Sequence, residues 1–148
     1  MAKEVFMTQW FTDAMRLAGE SLVKKLDESG VQVAAAFWIQ DVEEKNWELT
    51  IVSPLVGSEG PRSLYKRIND IYEACSDDED VISLHDIRVS SIHNRIVNAM
   101  RNSVLTGAQL ANNRMGRNYI DGIYIEDMYL YKIDWDMLAK LNDLNRVA

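Results

Sequence analysis

The fold class this chain of 148 residues predicts is α+β. A single domain spans 1–148, with a four- to five-stranded, mostly antiparallel sheet packed by an N-terminal helix, two further helices and a short C-terminal helix. Three observations carry this. Residues 31–40 (VQVAAAFWIQ) are apolar in both alternating sets, as in a strand covered on both faces. Residues 47–51 (WELTI) alternate apolar and polar, as in a half-buried strand. Between Thr8 and Ser29 apolar residues recur at three- and four-residue spacing, as along one side of a helix.

Taken in order, the first helix has Phe11, Met15, Ala18, Leu22 and Leu26 as its stripe, widened by Trp10, Ala14 and Leu17, and Gly30 as its stop. The strand Val31–Gln40 follows, with alanines that let a helix approach closely. Asp41–Asn46 is polar enough to be a turn joining it to the next strand. Pro54 ends that strand's capacity to donate to a ladder. Gly60-Pro61 opens a second helix running to about Cys75, with Leu64, Ile68, Ile71 and Tyr72 inward and Arg62, Lys66 and Glu73 outward. Ser76–Asp80 (SDDED) is an exposed acidic loop. Val81–Ser90 reads as a third strand, its two apolar pairs reconciled by a bulge near His85-Asp86. Asn94–Thr106 is a third helix on Ile96, Val97, Met100 and Val104, stopped by Gly107. Gly107–Arg117 is polar and unpatterned, hence a loop. Asn118–Ile133 supplies the last strands, either as a hairpin turning at Asp121-Gly122 or as one long strand bulged at Glu126-Asp127. Asp134 caps a final helix with Trp135, Leu138, Leu141 and Leu144 on one side.

The strings AAFWIQ, WELTIVSPLV and EGPRSLYKRI, with the late YIDGIYIEDMYLYKI, resemble a family of small bacterial α+β proteins of uncharacterised function. The resemblance runs over roughly residues 30–133. Its motifs are a sheet, a proline turn and a helix start, so it implies one domain and brings no activity and no catalytic residues.

Composition sets outer bounds. With 47% apolar and 26% charged residues the chain has the balance of a globular protein. No apolar run approaches the roughly 20 residues that span a bilayer, so no membrane association is expected. The N-terminus lacks a signal-peptide pattern, and Cys75 is the sole cysteine, so a reducing cytoplasmic setting is expected. Cys75 falls on the apolar side of its helix, which favours a core thiol over a nucleophile. The net charge of −7 opposes nucleic acid binding by the whole surface.

The standard catalytic constellations are mostly missing: no phosphate loop, no paired cysteines, no serine elbow. His85 and His93 are too few for a zinc site, and no metal or cofactor is expected. Either histidine has the chemistry for acid–base work. Asp41, Glu43, Glu44 and Lys45 are the residue types of a metal nuclease, but they share one turn rather than neighbouring strands. Four carboxylates in SDDED lack the spacing and glycine of a calcium loop. Tyr119, Tyr124, Tyr129 and Tyr131 suit strand packing first and a base-stacking platform second.

One stretch departs from the rest. Residues 87–120 contain no carboxylate and no lysine, yet carry Arg88, Arg95, Arg101, Arg114 and Arg117; the segment holds +5 and the remainder −12. Guanidinium forks suit carboxylate and phosphate. They either pair with the acidic body or meet a partner. The leading expectation is a non-catalytic module that uses this segment to bind an acidic protein or a second copy of itself. The alternative is a binder of phosphate, nucleotide or nucleic acid, or a small enzyme. It would use Arg88, Arg95, Arg114 and Arg117 as an anion clamp, His85 or His93 as acid–base, and Arg62 as a further candidate.

Overall fold

The segment AAFWIQ lies at the middle of the sheet because it is apolar on both sides. The computed structural model describes residues 2–105 and 113–147. Its elements are β1 (Lys3–Glu4), α1 (Asp13–Glu28), β2 (Ala35–Gln40), β3 (Trp47–Val52), α2 (Pro54–Glu59), α3 (Pro61–Glu73), β4 (Asp80–Val81), β5 (Ile87–Ser90), α4 (Arg95–Leu105), β6 (Arg114–Ile120), β7 (Ile123–Ile133) and α5 (Trp135–Val147). The main sheet has the order β5-β3-β2-β7-β6, while β1 and β4 form a separate two-stranded ribbon. Its strands pair antiparallel except β3 with β5, which run parallel.

Alternation along β2 and β3 divides the interior in two. Ala36, Trp38, Leu49 and Ile51 face α1 and α3, joining Met15, Leu22, Leu26, Leu64 and Ile68. Ala35, Phe37 and Val52 face α4 and α5, joining Val97, Met100, Ile120, Met128 and Leu138. Trp38, Phe37, Leu49 and Ile51 are fully buried, as the two-sided pattern predicts. The close helix approach falls at Gly19. Beneath it the Trp38 indole donates to the Tyr131 hydroxyl at 2.8 Å, and that hydroxyl donates to the Arg16 carbonyl at 2.6 Å. Two more tyrosines tie α3 down: Tyr65 donates to Ile87 O at 2.7 Å and Tyr72 to Ile82 O at 2.6 Å.

Several boundaries differ from expectation. Helix α1 starts at Asp13, not Thr8. The Thr8 hydroxyl closes a local turn with the backbone of Trp10, whereas Thr12 accepts from Met15 N at 3.2 Å and caps the helix. Trp10 and Leu17 do not widen the buried stripe: they are 72% and 55% exposed. Strand β2 begins at Ala35, although Val31, Val33 and Ala34 before it are buried. Pro54 ends β3 and also opens an unforeseen helix, α2, with the Ser53 hydroxyl accepting from Leu55 N. Residues 81–90 are not one strand. Asp80–Val81 pairs with the N-terminal segment, and Leu84–Asp86 is a 3-10 turn where a bulge was expected, before β5.

At the far edge, Arg114 and Arg117 belong to strand β6 rather than to a loop. Asp121 and Gly122, at φ 47° and 81°, form a two-residue hairpin turn between the paired Ile120 and Ile123, so the long-strand alternative does not hold. Asn94 caps α4 through Ile96 N and Val97 N, and Asp134 caps α5 through Met137 N. The expected helix end at Thr106, the stop at Gly107 and the first part of the 107–117 loop lie outside the described residues, as do the side chains of Val104 and Leu144.

Candidate functional site

Parallel β3 and β5 are neighbours, and the chain leaves them on opposite sides of the sheet. After β3 it enters α2 and α3, whose Leu55, Leu64 and Ile68 pack with the α1 side. After β5 it enters α4, whose Val97 and Met100 pack with the α5 side. Adjacent parallel strands whose continuations diverge in this way open a crevice beyond their carboxyl ends, the usual ligand position in sheets with parallel strands. A crevice of about 820 Å³ occupies this place. One wall is Pro54, Leu55 and Ser58, following β3; the other is Ser91, Ile92 and His93, following β5. Arg67 of α3, Val31 and Leu141 of α5 complete it.

Local hydrogen bonding fixes these walls. The Ser91 hydroxyl accepts from His93 N at 3.3 Å, and the Ser58 hydroxyl donates to Leu55 O at 3.3 Å. Gly30, at φ 88°, turns the chain out of α1 so that Val31 and Gln32 reach the crevice. Both charged or titratable lining groups, Arg67 and His93, are cationic or capable of becoming so. No carboxylate lines it among the described residues, in a chain that has 23. His93 also borders a shallower cleft of about 400 Å³ with Arg95, Asn98 and Asp121. The serines are engaged in their own turns, and no residue here pairs a nucleophile with a base. This arrangement offers charge and apolar surface.

The arginines expected to act together are dispersed. Arg88 is on β5 and Arg114 and Arg117 on β6, at opposite edges of the sheet. Four strand spacings put those edges about 19 Å apart, so one small anion cannot touch both. Arg88 pairs with Glu48 at 3.0 Å. Arg114 grips Asp127 with both arms of its fork, at 3.0 and 2.8 Å, and lies 5.5 Å from the Phe11 ring and 5.9 Å from Trp47. Its guanidinium pKa is raised, chiefly by that carboxylate. Arg101 lies over Trp135 at 5.8 Å. Arg95, Arg117 and Arg62 are exposed and have no ion pair among the described residues.

His85 lines a different groove, of about 730 Å³, at the opposite end of the sheet. It shares that groove with Arg88 and Lys45, but also with Asp41, Glu44, Glu48 and Asp86. Burial holds the Asp86 carboxyl above its ordinary range; the neighbouring His85 opposes this and Glu4 adds to it. Lys45 bonds Glu126 at 2.6 Å and thereby lowers that carboxyl's pKa. This groove is predominantly acidic, and among the described residues no group of carboxylates, histidines and cysteine is arranged to hold a metal ion. Cys75 sits at the margin of the core rather than inside it, 3.4 Å from Lys25 Nζ. Burial pushes its thiol pKa up, with Glu79 adding and Lys25 opposing.

Sequence reasoning missed Arg67, the cation of the crevice. A signal existed: Arg67 follows Leu64 by three positions and precedes Ile68, at the margin of the buried stripe, where a long side chain crosses apolar surface to reach a cleft. What the sequence does not display is the divergence of chain after β3 and β5, since that requires knowing the two strands are neighbours. No family model, no curated protein and no solved structure matches this chain.

Proposed function

We propose that this chain is a small cytosolic binding protein that holds an anionic ligand in the crevice beyond β3 and β5. One observation carries the reading: a cleft of ligand size, about 820 Å³, is lined by Arg67 and His93 and by no described carboxylate, in a chain of net charge −7. Clefts of roughly 300–1,000 Å³ accommodate small molecules. Isothermal titration with inorganic phosphate and with acetate tests the reading. Arg67→Gln is expected to weaken binding of both about tenfold or more, while Arg62→Gln, on the same helix but outside the crevice, leaves it intact. Equal binding by wild type and Arg67→Gln would overturn it.

A second reading, docking of an acidic protein or a second copy, draws on the β6–β7 hairpin. Its tip extends past the end of β2, whose pairing with β7 stops at Met128. Ile120 and Ile125 are buried on one side of that extension, whereas Tyr119 remains 69% exposed on the other, packed edge-on against Tyr124 at 5.1 Å. Arg117 stands beside them. Arg117→Glu weakening co-purification of a partner in a salt-dependent way is the outcome this reading requires.

A further inference from the structure

The apolar part of the crevice is as selective as its charge. Val31, Pro54, Leu55, Ile92 and Leu141 are its apolar lining, all aliphatic. No phenylalanine, tyrosine or tryptophan lines it among the described residues, although the chain has 4 tryptophans, 6 tyrosines and 3 phenylalanines. Those rings have other placements. Phe11, Trp38, Trp47, Tyr129 and Tyr131 form one linked cluster against α1, and Tyr119 and Tyr124 lie on the hairpin. A nucleobase stacks on a phenylalanine, tyrosine or tryptophan ring, or on a histidine or guanidinium plane; here only His93 and Arg67 offer such a plane, and they are the two groups that would hold the anion. An extended hydrocarbon needs no such ring and gains from every methylene it buries.

Position matters as much as kind. Leu55 packs with the core on the α1 side, Leu141 with the core on the α5 side, and the crevice lies where the two meet at the end of the sheet. A chain entering between them touches aliphatic surface on both walls. Arg67 and His93 are the exposed charged or titratable residues of the lining, so an ionised head beside them keeps part of its hydration. We propose that the ligand is an amphiphilic anion, an unbranched aliphatic chain ending in a carboxylate or phosphate, with the head at Arg67 and His93 and the chain between Leu55 and Leu141. This rests on the anion-binding reading above and narrows it to one class.

The test is a titration series on the intact protein with acetate, butyrate, hexanoate and octanoate, and with octyl phosphate, inorganic phosphate and adenosine monophosphate. Affinity is expected to climb roughly fourfold per added methylene, the equivalent of about 0.8 kcal/mol each. Octanoate and octyl phosphate then show which head the site prefers. Arg67→Gln should weaken every member about tenfold or more, while Leu55→Ser should flatten the dependence on chain length. Binding of acetate and phosphate through Arg67 with no gain from chain length overturns the aliphatic class and leaves the anion site standing. Adenosine monophosphate binding tighter than octanoate does the same. A chain-length series that Arg67→Gln binds as tightly as wild type marks adsorption elsewhere and overturns the proposal. No binding by any probe overturns both readings.

Discussion

Replacing Gly19 by alanine measures how closely α1 lies on the sheet. In a helix interior alanine ordinarily stabilises by about 1 kcal/mol relative to glycine. Here a Cβ at position 19 would overlap the Tyr131 hydroxyl and come within 2.9 Å of Trp38 Nε1. The hydroxyl must move, and it is the acceptor for the Trp38 indole and the donor to Arg16 O. Two hydrogen bonds at about 1 kcal/mol each are lost, and a buried indole N–H left without a partner costs about 1–3 kcal/mol. Set against the helix gain, the net loss is about 2–4 kcal/mol, a fall in Tm of roughly 6–16 °C for a domain of this size. The assay is urea denaturation of Gly19→Ala, Tyr131→Phe and the double variant. Without the hydroxyl the overlap eases, so the double variant should be more stable than additivity predicts, by about 1 kcal/mol. A Gly19→Ala protein more stable than wild type would refute the packing argument.

Four further outcomes follow from the same geometry. Phe37→Ala empties a fully buried position beneath α4 and α5 and should cost about 3–5 kcal/mol in denaturant midpoint at constant m-value. Arg114→Glu sets two carboxylates against each other and removes a cation stacked near two rings, for a loss of about 2 kcal/mol; Arg117→Glu, exposed and without an ion pair among the described residues, should stay within about 0.5 kcal/mol by thermal melt. Burial raises the pKa of Tyr72 and Tyr131 in the folded protein. Their neutral forms therefore contribute stability in full below about pH 10, the ordinary tyrosine value, and that contribution is lost as pH climbs toward the raised values. The steepness of alkaline unfolding should lessen in Tyr131→Phe. The Glu79 carboxyl, lowered by its hydrogen bond to Lys25, acts in the other direction: its contribution is present above the ordinary carboxylate range and is lost as pH falls through its depressed value. Lys25→Met should remove that part of the acid transition.

What the sequence discloses here tracks how local the cause is. The burial of Trp38, Phe37, Leu49 and Ile51 follows from alternation within ten residues, and the Asp121-Gly122 turn and the Asp134 cap from one or two residue types at fixed positions. Helix α2 was equally local, since Ser53-Pro54 is a cap followed by proline at the first helical position, but Gly57 in so short a run hides it. The start of α1 depended on which of two threonines caps, and Thr8 is withdrawn by its own turn with Trp10. Residues 80–90 misled because Asp80–Val81 pairs with the N-terminal segment, a contact across more than 70 residues. The arginine segment shows the same limit for the site. Its lack of carboxylates is plain in the sequence, yet Arg88 and Arg114 find Glu48 and Asp127 only through strand pairing. The crevice, in turn, gathers residues from 30 to 141 and relies on Arg67, which lies outside that segment.

The most direct measurement of the crevice's role is a titration of nitrogen-15-labelled protein with octanoate, followed by backbone amide shifts. A ligand held between the chain segments after β3 and β5 should move Leu55, Ser58, Arg67, Ser91, Ile92 and His93, and leave Lys45, Trp47, Tyr119 and Tyr124 at the other end of the sheet in place. Shifts concentrated on the β6–β7 hairpin or around the exposed Trp10 and Leu17, with residues 91–93 unmoved, would contradict the account.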